Sequence, residues 1–153
     1  MTITTLGQSK DKQGSMLLIK HSDALAGSPP FTFFLRQMAE LMDSGFSLKR
    51  TGWDDDNCGI IWAELDNKIV GIIAYDKDKI KTVKILSIKL TAVDSAFRGR
   101  GIHTVMNTYF EGLARSLGCT RIQATVHPDN HVRLESAKKD GLKIFYHILF
   151  KSI

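Results

Sequence analysis

The chain has 153 residues and a formal net charge of +5. That length suits one domain, with a core large enough to need neither disulfides nor a structural metal. A hydrophobic fraction of 43% argues against wholesale disorder, and no apolar run reaches the length of a membrane span.

Residues 1–14 are polar and lack the apolar segment of a signal peptide. They read as a flexible N-terminal extension ahead of a single domain over 15–153. Cys58 and Cys119 form no metal or redox spacing and read as reduced thiols, so the expected compartment is the cytoplasm. Met16-Leu17-Leu18-Ile19 predicts a first strand. Ser28-Pro29-Pro30 then supplies a helix start, with Ser28 as its N-cap. Phe31, Phe34, Leu35, Met38 and Met42 carry that helix at helical spacing toward Gly45. Residues 46–58 hold Gly52, Asp54, Asp55, Asp56 and Asn57 and read as an irregular loop.

Strands are expected over 60–65 and 69–75, joined by the hairpin signal Asp66-Asn67-Lys68. Asp76-Lys77-Asp78-Lys79 reads as the next turn, and a longer strand follows over 82–93. In it Val83 and Ile85 share one parity, while Leu86, Ile88, Leu90 and Ala92 share the other. That phase slip predicts a β-bulge at Ile85-Leu86. Ile102, Val105, Met106, Tyr109, Phe110, Leu113, Ala114 and Leu117 then mark a strong amphipathic helix closed by Gly118. Residues 121–126 alternate as a strand. Asp129 or Asn130 caps a helix to Lys139 that Gly141 ends, and 142–150 read as a last strand. The order β-α-loop-β-β-β-α-β-α-β predicts an α/β fold with a mixed sheet: antiparallel pairs first, then a βαβ crossover.

The charge is unevenly placed. Residues 77–100 carry seven Lys or Arg against Asp78 and Asp94, so the whole formal excess lies there. That stretch runs into Arg98-Gly99-Arg100-Gly101-Ile102-His103-Thr104, between a strand end and the strong helix. Glycines let backbone N–H groups approach an anion, and a helix start adds unpaired N–H groups and partial positive charge. Together these predict a phosphate or pyrophosphate site. Gly-Lys-Ser/Thr is absent, which excludes a Walker loop. Thr104 at the third glycine position argues against a dinucleotide fingerprint. His127-x-Asp129-x-His131 is too short a spacing for a metal cluster, so no metal is expected.

The segment Arg98-Gly99-Arg100-Gly101-Ile102 resembles the acyl-CoA signature of the GNAT superfamily of N-acetyltransferases, Gln/Arg-x-x-Gly-x-Gly/Ala. The order of elements resembles that family as well, from Met16 to about Phe150. The resemblance implies acetyl-CoA as co-substrate. Arg98, Gly99, Arg100, Gly101, Ile102, His103 and Thr104 would hold its pyrophosphate, and the backbone of Ala92 and Val93 its pantetheine arm. Asn130, with Gly141, resembles the family's Asn-led last helix. The chain departs from the pattern in three places. His103 stands where the signature has a small residue, and Ala137 where many relatives carry a protonating Tyr. Only 12 residues follow Gly141, enough for one strand. The shortened C-terminal region leaves a sheet edge that a second copy in a homodimer would cover.

The strand over 82–93 contains no carboxylate, so acid–base candidates lie elsewhere: Glu64, His127 and Tyr146, with Tyr75 and Asp94 behind them. The resemblance implies that the segment after the first helix lines the acceptor pocket, where Trp53, Asp54 and Asp55 would face a cationic amine; a solvated acidic loop is the other reading, and charge runs more often are that. The leading expectation is transfer of acetyl from acetyl-CoA to a primary amine of a small molecule or peptide by direct attack. A non-catalytic acyl-CoA-binding or regulatory protein of the same fold stands beside it. So does a basic nucleic-acid-binding module using residues 77–100, although few aromatics accompany those lysines for stacking.

Overall fold

The computed structural model of the chain describes residues 1–43, 57–124, 126 and 129–143. In chain order the elements are β1 (Ile3–Lys10), β2 (Met16–Ser22), α1 (Phe31–Asp43), β3 (Cys58–Leu65), β4 (Lys68–Ile80) and β5 (Val83–Val93), then a 3₁₀ turn (Ser95–Phe97), α2 (Ile102–Ser116), β6 (Arg121–Ala124) and α3 (His131–Lys139). The six strands form one sheet in sequence order. Neighbours from β1 to β5 run antiparallel. β6 joins β5 in parallel, because α2 carries the chain back to the starting end. The α/β class and the mixed sheet are as expected.

The N-terminus differs from the expected flexible extension. Residues 3–10 form edge strand β1, hydrogen-bonded to β2. An edge strand needs few apolar residues, which is why its pattern was weak; Leu6 alone packs onto the core beneath α2. Tyr109 of α2 fixes the strand from above. Its hydroxyl donates to the Gln8 carbonyl at 3.1 Å and lies 3.1 Å from the Ser9 hydroxyl. A Cβ at Gly7 would sit 2.7 Å from that hydroxyl, so only glycine fits under the ring.

The sheet has a core on each face. One packs under α2 around Phe110, Met106, Tyr75 and Leu17; the other lies on the α1 side around Phe34, Met38, Trp62 and Ile72. Burying each large side chain contributes about 1.5–3 kcal/mol. The β3–β4 hairpin turns through Asp66 and Asn67 at φ 50° and 64°, the left-handed pair that a two-residue hairpin favours. The expected turn over 76–79 is instead strand. β4 runs on to Ile80, and the reversal falls at Lys81, φ 54°. The charges there are cross-strand partners: Lys89 Nζ lies 2.8 Å from Asp76, and the Ser87 hydroxyl donates to Asp78 at 2.8 Å. Ser28 is not a side-chain cap either. Its buried hydroxyl donates to the Leu25 carbonyl at 2.6 Å, and α1 starts with Phe34 N–H to the Pro30 carbonyl.

The bulge in β5 exists, but at Lys89. Ile88 pairs with Tyr75 and Leu90 with the adjacent Ala74, so Lys89 is the extra residue. Its effect is visible in the packing. Leu86 and Ile88 face the α2 core, whereas Leu90 faces the α1 core and Val93 packs back toward α2. Ile85 and Leu86 mimic a slip because both faces are covered there, and both are 0% exposed. The expected strand over 142–150 extends beyond the described residues.

Candidate cofactor-binding site

β5 delivers the chain to the glycine segment. Asp94 N–H donates to the Val70 carbonyl at 2.8 Å, and the Asp94 carboxylate accepts from Ala96 N–H at 3.0 Å, capping the 3₁₀ turn. Arg98 Nε donates back to the Val93 carbonyl at 3.2 Å. Gly99 and Gly101 then take φ 77° and 79°, which side chains rarely adopt, and Gly101 is the N-cap of α2. The first helical bond joins Val105 N–H to the Gly101 carbonyl at 3.1 Å. The amides of Ile102, His103 and Thr104 therefore have no helical acceptor. They crown a 15-residue helix whose dipole favours an anion at this end.

Among the described residues, β5 has an open edge beside this loop. β6 pairs only with residues 85–88, so among the described residues Lys89 to Val93 are paired on the β4 side alone. Ala92 and Val93 lie on that stretch. Past the bulge, and among the described residues, the backbone groups on this side of β5 are left for an extended ligand running toward the glycine loop.

The two arginines of the segment separate. Arg98 stays exposed at the loop. The Arg100 side chain turns to the β1–β2 hairpin, where Nε lies 2.8 Å from Asp11 Oδ2 and Nη2 donates to the Ser15 hydroxyl at 3.0 Å. The Asp11 side chain is fully buried and also accepts from Gln13 and Ser15 N–H, both at 2.9 Å. Burial alone would raise its carboxyl, but the Ser15 amide, the Arg100 guanidinium and the Gln13 amide together hold it below the ordinary carboxylate range. Lys12 N–H donates to the Arg100 carbonyl at 2.8 Å, which closes the contact.

His103 turns toward α3. Its Nε2 lies 2.6 Å from Asp140 Oδ2, and Arg133 Nη1 lies 3.9 Å from the same oxygen. The imidazole ties the first turn of α2 to the end of α3, while Thr104 is exposed on that turn. Asn130 accepts from Arg133 N–H at 3.2 Å and caps α3, and Ala137 is buried on that helix. Glu64 has both oxygens engaged: Trp62 Nε1–H donates to one at 2.9 Å and Lys20 Nζ lies 3.2 Å from the other. Tyr75 is buried, with its hydroxyl 2.8 Å from His21 Nε2, and burial pushes its pKa up. His127, Tyr146, Trp53, Asp54 and Asp55 lie outside the described residues. Among the described residues no group of metal-ligating side chains comes together.

The basic run does not converge on the loop as its sequence position implied. Lys77, Lys79, Lys81 and Lys84 sit at the β4–β5 reversal. The length of β5, about 34 Å, separates them from Gly99. The positive groups near the loop include one that sequence reasoning missed, Lys12, together with its neighbours Asp11 and Ser15. Asp11 lies 89 positions from Arg100, so no linear spacing linked them. The one signal was Asp11-Lys12-Gln13-Gly14, a tight-turn composition that marks a hairpin.

Residues 22–141 match the profile of the Acetyltransferase (GNAT) family. Among solved structures, an aminoglycoside acetyltransferase from an uncultured soil metagenomic sample, in complex with trehalose, is 17% identical at a TM-score of 0.70, covering 90% of this chain and 96% of its own. A ribosomal-protein-alanine N-acetyltransferase from Brucella melitensis biovar Abortus 2308 is 12% identical at a TM-score of 0.68, covering 90% and 99%. The aminoglycoside N-acetyltransferase AAC(6')-Iy in complex with CoA is 14% identical at a TM-score of 0.62, covering 88% and 98%. No curated protein sequence matches the chain. The structural likenesses show a shared fold.

Proposed function

The chain belongs to the GNAT acetyltransferase family, and on that premise we propose that it transfers an acetyl group from acetyl-CoA to a primary amine of a small molecule or peptide by direct attack. The observation that carries this reading is the amide cluster of residues 102–104 behind two left-handed glycines, which lacks helical acceptors, beside a strand edge that is open among the described residues. An amide cradle fits a pyrophosphate, and an unpaired strand edge fits an amide-bearing arm.

Acetyl-CoA, when bound, supplies the activated acyl group. The chain's own residues do the rest. The amides of Gly99, Gly101, Ile102, His103 and Thr104 fix the anion, with Arg98 beside them. The edge at Ala92 and Val93 orients the arm, so that proximity to the acceptor replaces a bimolecular encounter. Glu64 already serves Lys20 and Trp62. In this reading proton transfer therefore falls to His127 and Tyr146, and Trp53, Asp54 and Asp55 hold the acceptor's cationic amine. The relatives' named acceptors, aminoglycosides and a ribosomal protein, span both proposed acceptor classes.

A second reading, an acyl-CoA binder without turnover, draws on two departures from the family signature: the His103 link to Asp140 and the buried Ala137. Thiol release from acetyl-CoA with a panel of amines separates the two. Release with any amine supports transfer. Binding without release across aminoglycosides, polyamines and peptide α-amines supports the second reading.

A further inference from the structure

We propose that Lys12, at the tip of the β1–β2 hairpin, supplies a positive charge to the pyrophosphate of the acyl-CoA held by residues 99–104. This inference rests on the acetyltransferase reading above.

The hairpin tip is fastened onto the glycine loop. Lys12 N–H donates to the Arg100 carbonyl at 2.8 Å. The Lys12 stem covers Gly101: its Cγ and Cε lie 3.2 and 3.3 Å from the point where a Gly101 Cβ would be. One further bond of about 1.5 Å leads to the ammonium, which keeps it within about 5 Å of the loop. Among the described residues Lys12 has no ion-pair partner.

Asp11 explains why the charge comes from the hairpin. Its buried carboxylate neutralises Arg100, the residue at the centre of the glycine segment. The same carboxylate accepts the Gln13 and Ser15 amides and so sets the shape of the turn that carries Lys12. Of the loop's two arginines Arg100 becomes a structural anchor while Arg98 stays exposed, and the adjoining Lys12 adds a further cation. Lys12 touches Gly101 at the helix cap, where the amide cluster begins, so the pyrophosphate and not the outer 3′-phosphate is the group it faces.

Calorimetric titration with acetyl-CoA and with 3′-dephospho-acetyl-CoA tests the contact. Lys12→Met keeps the apolar stem over Gly101 and removes the charge; Lys12→Arg keeps the charge. The expected result is a loss of about fivefold in affinity for both ligands in Lys12→Met, shrinking at high salt, with Lys12→Arg close to wild type. Wild-type affinity in Lys12→Met overturns the contact, because the stem alone would then account for the position. A loss confined to the ligand with the 3′-phosphate overturns the pyrophosphate assignment. A wild-type protein that binds neither ligand overturns the acetyltransferase reading and the Lys12 contact with it.

Discussion

Asp11 shows how one side chain organises a distant site. Its folded pKa lies below the ordinary carboxylate value of about 3.9. The stabilisation it gives is therefore fully present above about pH 4 and is lost as pH falls through the depressed folded value. Asp11→Asn should lower the urea midpoint at pH 7, and the two midpoint curves should draw together as pH falls through the depressed folded value. Parallel curves would show that the Asp11–Arg100 pair does not stabilise the fold. Glu64 supports a prediction of the opposite kind. With Lys20 and Trp62 on its oxygens, Glu64→Gln should change kcat less than about threefold, whereas a general base would lose on the order of 100-fold. Steady-state rates with any amine that the panel identifies decide it. The glycine turn was legible in sequence because Arg98 to Thr104 are contiguous. Asp11 and Lys12 were not, because chain separation hides a contact that only the sheet creates.

At the level of elements, legibility followed the strength of the apolar pattern. α2 has a full apolar stripe, and its buried residues Ile102, Met106, Phe110, Leu113 and Ala114 are among those the spacing marked. Phe110→Ala should cost about 3–5 kcal/mol in urea denaturation, since the ring is fully buried against Tyr75. A cost under about 1 kcal/mol would place the core elsewhere. The extension of β4 was hidden by Asp76 to Lys79, whose alternating charges look like a turn until Lys89 and Ser87 are seen opposite them. The bulge in β5 was predicted in kind and misplaced in position, because burial on both faces at Ile85 and Leu86 erased the parity signal there. Deleting Lys89 should close the bulge and leave Leu90 and Ala92 on the α1 face, because Ile88–Tyr75 and Leu90–Ala74 are already successive pairs. The expected outcome is that circular dichroism still shows a cooperative unfolding transition. A deletion variant that loses the transition would show that packing needs the bulge itself.

For the whole molecule, the net charge of +5 opened the question of an anionic partner, and the fold relocates the answer. The lysines of 77–84 cluster at the far end of the β4–β5 hairpin, away from the glycine loop. The anion site we propose is instead assembled from backbone amides, Arg98 and the hairpin that carries Lys12. A binding surface for nucleic acid needs a contiguous basic face with stacking groups, and the run ends beside few aromatics. The family and the mixed sheet were visible in sequence through one contiguous signature in its strand–helix setting. The acceptor was not, because a pocket assembled from separate loops has no linear pattern. Acyl-CoA binding at the glycine loop is tested most directly by a calorimetric titration of the purified chain with acetyl-CoA, run beside Gly101→Leu. That substitution places a side chain at φ 79°, against the Lys12 stem. The account predicts saturable one-to-one binding of wild type between about 1 μM and 1 mM and a loss of at least about tenfold in the variant. No detectable binding by wild type at millimolar acetyl-CoA, or equal binding by both proteins, would contradict it.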